Sequence, residues 1–233
     1  VAVVLARREQ ADSAALCYAV VDLRRPGVVR RELPKLGLQA MSWGTIEFAE
    51  VEVEEDCVVF DASVERTLRS VEWGQLIQTM SALGLAAAAI EECRAFIRQR
   101  HAFGRPIAHL QVVHARLADM QAELEAGRLL AYAAARRKAA GESVREAVMM
   151  AKIYASEMAV RVTELALRSL GGSGHGKDHA VERLHRDSLA NVPAGLPNDR
   201  LRELLVCPRV GVDPWRYPAF DWLAPAGLVL AGD

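Results

Sequence analysis

The sequence predicts an α+β fold, a partial antiparallel β domain followed by an antiparallel bundle of long helices. Apolar residues alternate with polar ones at the strand period up to about residue 58. The period then lengthens to the helical one and stays there for three long stretches. The Gly- and Pro-containing connections between those stretches are short, which makes successive helices antiparallel neighbours.

The first strand is expected over Val1–Ala6. Gln10–Ser13 is polar and loop-like, and Ala14–Val21 is the second strand. Arg24, Arg25, Pro26 and Gly27 carry turn chemistry and lead into a third strand over Val28–Leu33. Thr45–Val53 has the clearest alternation, with Ile46, Phe48, Val51 and Val53 set among four glutamates and a one-residue shift near Ala49, as a bulge produces. The glutamates read as a solvated strand face, because no histidine joins them as a metal ligand. A few strands of this kind need another layer to be stable. The chain opens inside an apolar run without Met, so processing, truncation or preceding residues are expected.

From Val64 to Arg100 no proline interrupts a helical pattern, with Leu68, Leu76, Met80, Leu83, Leu85, Ile90 and Phe96 as its apolar surface. The second helix is expected over Ala108–Ala139, on a stripe of Leu110, Val113, Leu117, Met120, Leu124 and Leu130. The third runs over Val144–Leu170, with Ser143 and Glu146 at capping-box spacing and an apolar series through Ala147, Met150, Met158, Val162 and Leu165. Gly171, Gly172, Gly174 and Gly176 end it. A shorter helix follows over Asp178–Leu189, and a last one, capped by Asn198 or Asp199, runs to Val206. Trp215, Tyr217, Phe220, Trp222 and Leu223 make the tail from Pro208 a docking segment rather than a free end. The expected division is residues 1–60, 61–207 and 208–233.

Apolar residues at 52% allow a sizeable core, and a formal charge of −1 gives no global reason to bind nucleic acid or an anionic membrane. Cys17, Cys57, Cys93 and Cys207 lack metal-ligand or redox spacing and read as buried thiols of a reducing compartment. No leader and no apolar run of membrane-spanning length is visible, so the expected location is cytoplasmic.

Chemistry concentrates in the junction Arg98–Gln111. Arg100 suits a phosphate through its paired donors, Phe103 can stack on a base, and Gln111 adds an amide among the basic neighbours Arg98, His101 and Arg105. By themselves these residues describe a solvated basic helix end. The glycines of Gly171–Gly176 let backbone N–H groups approach a ligand, although the loop follows a helix and so is not a dinucleotide fingerprint. Within Val181–Asp187, Glu182 with Arg186 and Arg183 with Asp187 have helical pairing distance and read as structural. His175, in the glycine loop, is the histidine best placed for proton transfer; none of the six has firm zinc spacing.

These motifs in this order resemble the acyl-CoA dehydrogenase family of flavoproteins. The resemblance rests on PGV at Pro26–Val28, KLG at Lys35–Gly37, FAEVEV at Phe48–Val53, the R-x-x-F-G junction at Arg100–Gly104, Gln111, AKIYASEMA at Ala151–Ala159, GGSG at Gly171–Gly174 and VERLHRD. It implies the end of the family's middle β domain followed by its C-terminal helical bundle, without the N-terminal helical domain. It also implies that Arg100, Phe103 and Gln111, with the loop of Gly171, Gly172 and Gly174, contact the ADP half of an FAD held by a neighbouring subunit. Arg168 stands where the family usually has Gln. An acyl-CoA-like substrate and a homo- or hetero-oligomer follow, with a further chain supplying the missing flavin-binding elements.

The family's catalytic Glu matches Gly195, or Ala194 with a one-residue shift. The alternative position on the first long helix matches Gly74, and Glu72 faces the other way. The implied activity is therefore α,β-dehydrogenation of an acyl thioester with an unusual base. The alternatives are a non-catalytic or half-site subunit of a heteromeric dehydrogenase, or a related flavin oxidase or monooxygenase.

Overall fold

A computed structural model describes residues 1–7, 16–60 and 64–212. They divide into two units. One holds the strands, in Val1–Lys35 and Ala40–Val71, and takes up the chain again at Val206; the other holds Leu36–Gln39 and Glu72–Leu205.

In the strand unit, β1 (Ala2–Arg7) pairs antiparallel with β2 (Leu16–Val21), from Ala2 opposite Val21 to Arg7 opposite Leu16. The other edge of β2 takes β5 (Val58–Phe60), which puts β2 in the middle of three strands. The short β5 was not foreseen, since three residues are too few to display a period. A separate ribbon pairs β3 (Val28–Glu32) with β4 (Gly44–Phe48). The turn that leads into β3 needs Gly27, which has φ 84° and would put a side chain 2.2 Å from the Ala49 carbonyl oxygen.

The expected bulged strand over Thr45–Val53 is shorter than its alternation suggests. Pairing stops at Phe48, the Ala49 N–H donates to the Gly27 oxygen at 2.9 Å, and Glu50 turns the chain away at φ 50°. Of this unit's described apolar residues, only Val21 is buried. The polar loop at Gln10–Ser13 and the aromatic tail beyond Val212 lie outside the described residues.

The helical unit takes α1 (Val64–Gln99) from Glu72 onward, followed by α2 (Gln111–Ala139), α3 (Arg145–Leu170), α4 (Ala180–Leu189) and α5 (Asn198–Val206) as far as Leu205. Its core joins Leu83, Ala86, Ile90 and Ile97 of α1 to Met120 and Leu124 of α2, Met158 and Val162 of α3, and Val181 and Leu184 of α4. The three long helices meet at Gly127, where an added Cβ would stand 3.0 Å from Leu83 Cδ2 and 3.1 Å from Met158 Cε. Close approach of the three helices at this point therefore requires a residue without a side chain.

Two expectations about α3 need correction. Its cap is Val144 and makes no side-chain hydrogen bond, so Ser143 does not cap the helix. Its buried face holds Val148, Met149, Lys152 and Ala155, while Met150 is exposed. A helix apolar around most of its girth leaves the phase of its buried stripe undetermined. Met80 and Leu130, also assigned to apolar stripes, are partly exposed. Asn198 is the first residue of α5 and is buried; Asp199 pairs with Arg202 at 2.9 Å.

Candidate functional site

One end of the helical unit gathers the basic junction and the glycine loop. There α1 and α3 end while α2 and α4 begin. Phe96 of α1 packs edge-on against His179, just before α4, with ring centroids 5.2 Å apart. His179 Nδ1 lies 3.2 Å from Glu92 Oε1. Arg94 of α1 donates to Gln121 of α2 at 2.9 Å, and Arg116 of α2 donates to the Arg168 carbonyl oxygen at 3.4 Å.

The junction is a two-residue hairpin, pairing β6 (His101–Ala102) with β7 (Arg105–Pro106). Phe103 and Gly104 form its tip at φ 54° and 76°, the left-handed pair that a type I′ turn requires. Gly104 adopts this freely. Phe103 does so at a cost of about 1 kcal/mol, and its ring is 90% exposed, so packing does not offset the strain. Strain of this kind clusters at ligand clamps. Arg100 is fixed through its backbone, whose N–H donates to Phe96 and whose oxygen accepts from Ile107 at 2.9 and 2.8 Å. Its exposed guanidinium has no ion-pair partner among the described residues. Gln111 opens α2 and is exposed.

The glycine loop, Gly171–His175, is a 3₁₀ stretch. Added Cβ atoms at Gly171 and Gly172 would meet nothing within 4 Å, so these two leave backbone open to an approaching group. Gly174 is different: its Cβ would stand 2.7 Å from the Leu167 oxygen, so it is small to pack on the end of α3. Arg168 is exposed and donates to Glu164 at 2.5 Å. His175 is exposed. This end therefore offers a free guanidinium, an exposed aromatic face, an amide and two unobstructed glycines, a set suited to an anion joined to a planar ring.

The second place of interest is the connection from α4 to α5. Lys152, fully buried on α3, donates from Nζ to the Val192 and Leu196 oxygens at 2.9 and 3.0 Å and to Asn198 Oδ1 at 2.7 Å. Burial pushes its pKa down to about 8, and the Glu157 carboxylate acts in the opposite direction. Asn198 passes the network on to Ser156 and Glu157, both at 3.0 Å. From α1, in the amide orientation that satisfies both partners, Gln78 donates to the Ala194 oxygen at 3.1 Å and accepts from the Gly195 N–H at 3.2 Å.

Neither Gly195 nor Ala194 carries an acid, and Gly74 stands one helical turn before Gln78 with nothing within 4 Å of an added Cβ. Glu72 is engaged elsewhere, 2.6 Å from Lys138 and 3.6 Å from Arg145. Glu157 pairs with Arg202 at 2.5 Å. Sequence reading overlooked Lys152 and Gln78. The available signal was a lysine on the same face as Val148, Ala155 and Ala159.

The VERLHRD segment grips its own chain. Arg186 pairs with Glu182 at 2.8 Å and also donates to the Leu36 oxygen at 3.0 Å. Asp187 sits 3.4 Å from Arg183 and accepts the Leu38 N–H at 2.6 Å. Gly37 has to be glycine there, since its Cβ would fall 2.3 Å from the Arg186 oxygen.

A helical bundle with a free basic hairpin and a glycine loop at one end is the C-terminal module of a flavoprotein dehydrogenase family. A family profile described as "Acyl-CoA dehydrogenase, C-terminal domain" matches residues 64–205, and the chain belongs to that family. It is 31% identical over 172 residues to the short-chain specific acyl-CoA dehydrogenase of Bos taurus mitochondria, covering 72% of this chain and 42% of that one. It is 35% identical over 175 residues to a 3-sulfinopropanoyl-CoA desulfinase of Cupriavidus necator, covering 72% and 44%. Among solved structures, the acyl-CoA dehydrogenase of Slackia heliotrinireducens superposes with a TM-score of 0.82 at 27% identity, over 90% of this chain and 56% of that one. The chain thus spans about half the length of the relatives it matches. Among the described residues, no helix is long and apolar enough to cross a membrane.

Proposed function

We propose that this chain belongs to an FAD-dependent flavoprotein acting on an acyl thioester, and that the junction end of its helical unit grips the ADP half of an FAD held by a neighbouring subunit. The supporting observation is the gathering of Arg100, Phe103, Gln111 and the open glycines at one end of the bundle, together with the strained, exposed setting of Phe103. Arg100 offers a phosphate two parallel donors. Phe103 offers a stacking face, Gln111 an amide, and Gly171 and Gly172 an unobstructed backbone. Gly174 shapes that loop, and Arg168 reaches a phosphate once it leaves Glu164.

When bound, FAD supplies hydride acceptance from the β carbon of an acyl-CoA-like substrate. Groups that project from an exposed end serve a cofactor seated in another subunit, so the working form is an oligomer, and a cytoplasmic one. The test is the absorption spectrum of this chain purified together with the subunit that holds the FAD, with FAD content after denaturation. Stoichiometric FAD is expected, with Arg100→Ala retaining it about tenfold more weakly. A folded assembly that neither carries nor takes up FAD would overturn the reading.

A second reading is favoured by the α4–α5 connection. Gly74, Ala194 and Gly195 provide no base for removing an α proton, and the neighbouring Glu72 and Glu157 are paired with cations. A substrate that brings its own leaving group needs no such base. By its name, the Cupriavidus necator relative removes sulfinate from 3-sulfinopropanoyl-CoA. Bleaching of the flavin by butyryl-CoA supports dehydrogenation. Sulfite release from 3-sulfinopropanoyl-CoA without bleaching supports the second reading. A co-purifying chain that carries its own Glu supports a half-site subunit.

A further inference from the structure

The three-stranded sheet is apolar on both faces, and the two faces differ in exposure. Directly opposed residues of an antiparallel pair share a face. Val3 with Val20, Leu5 with Tyr18 and Tyr18 with Val59 therefore lie on one side. Ala2 with Val21, and Val4 with Ala19 and Val58, lie on the other. Burial along β1 follows this division: Val3 and Leu5 are exposed, while Ala2, Val4 and Ala6 are half-buried. Val21 closes the second face at 4% exposure, but on the first Val3 is 68% and Val59 53% exposed, with Leu5 and Val20 also open.

A sheet face turned to water carries polar residues, and an unbroken apolar run such as Ala2–Ala6 is the pattern of a strand buried on both sides. The bare face is thus built to receive a layer, and a contiguous apolar patch of this kind marks an interaction site.

The chain itself brings a suitable cover to this unit. It leaves the helical unit after Leu205, and Val206 to Val212 belong with the strands. Residues 213–233 follow directly. They hold Trp215, Tyr217, Phe220 and Trp222, and their charges are limited to Asp213, Arg216, Asp221 and Asp233. Pro214, Pro218 and Pro225 interrupt any helix, so these large groups need a surface supplied from outside the segment. The reach is sufficient. Trp215–Leu223 extends up to about 30 Å, against a sheet about 10 Å across its three strands and about 20 Å along them.

We propose that residues 213–233 fold back over the exposed face of the β1–β2–β5 sheet of the same chain, with the tail tryptophans on Val3, Val20 and Val59. The tail is then the second layer of the strand unit. It lies outside residues 64–205, which the family profile matches, so this cover is a feature of this chain and stands apart from the flavin reading.

The test places a photoreactive benzophenone in the full chain as Val59→p-benzoylphenylalanine, with adducts mapped by mass spectrometry after irradiation. The expected product joins residue 59 to residues 213–233 at the mass of a single chain. Trp215→Ser combined with Trp222→Ser should lower its yield about tenfold, the effect of losing a well-buried apolar anchor. An adduct between two chains would show that a second copy covers the face and would overturn the proposal. So would an adduct to any other segment, or none.

Fluorescence carries the test if the probe at Val59 disturbs folding. Trp43→Phe with Trp73→Phe leaves Trp215 and Trp222 as the chain's tryptophans. Their emission should lie to the blue of free tryptophan and move to the red on Val20→Lys, a change at an exposed position of the face. Emission that Val20→Lys leaves unmoved would mean that the tail does not rest there.

Discussion

The two functional regions of the helical unit are built on opposite terms. At the hairpin end, polar and aromatic groups are exposed: Arg100 has no ion-pair partner among the described residues, Phe103 is 90% exposed in a strained turn, and Gly171 and Gly172 face open space. At the α4–α5 connection, Lys152, Gln78 and Asn198 are all hydrogen-bonded to their own chain. Groups left unsatisfied in the isolated chain are available to something else, whereas groups already satisfied hold the chain in place. Substitutions should therefore cost stability at the connection and binding at the hairpin.

The largest expected effect is Lys152→Met. It keeps much of the side-chain volume but leaves one buried and two part-buried acceptors without their donor, the buried one costing about 1–3 kcal/mol and the others less. Partial relaxation should bring the total to about 3 kcal/mol in chemical denaturation. The gap should also depend on pH. Because the folded-state pKa is about 8 against an ordinary 10.5, the unfolded chain binds more protons between those values. Lys152 therefore adds stability as pH rises through that window and loses it as pH falls through 8. The difference between the unaltered protein and Lys152→Met should widen from pH 8 to pH 10 in matched melts. A constant difference would mean that the hydrogen bonds hold the ammonium charged against its burial.

Gly174→Ala should come next, at about 2 kcal/mol, because its methyl must push on the Leu167 backbone. Gly172→Ala, two residues earlier in the same loop, should cost well under 1 kcal/mol in stability, since nothing lies within 4 Å of the added carbon. If the two variants melt alike, the distinction between a packing glycine and an open one in this loop is wrong.

The sequence made the helices legible because apolar stripes and Gly- or Pro-rich stops are local signals. The strand unit was legible in part. β1 to β4 follow from alternation, but the pattern runs on past Phe48 because alternation records which faces are apolar and not where pairing stops. β5 is too short to announce itself. At the hairpin end, Arg100, Phe103 and Gln111 could be named from their order, but the left-handed φ of Phe103 could not, since nothing about an aromatic favours it. Lys152 and Gln78 were missed for a common reason. Most of their partners are backbone atoms, forty or more residues away for Lys152 and more than a hundred for Gln78, and backbone groups leave no mark in the side-chain sequence.

Phe103→Gly is the smallest expected change in stability and the sharpest test of the comparison. The ring is 90% exposed, so removing it forfeits little packing. The backbone at φ 54° becomes natural for glycine, although the unfolded chain gains freedom. Relief of a left-handed aromatic should outweigh that entropy, leaving the folded chain unchanged or up to about 1 kcal/mol more stable. FAD retention should fall in the same variant, because the stacking face is gone. A stability gain coupled to a binding loss is the signature of strain kept for a ligand. A stability loss of about 1 kcal/mol or more would place Phe103 in the chain's own packing and remove the contrast between the two regions.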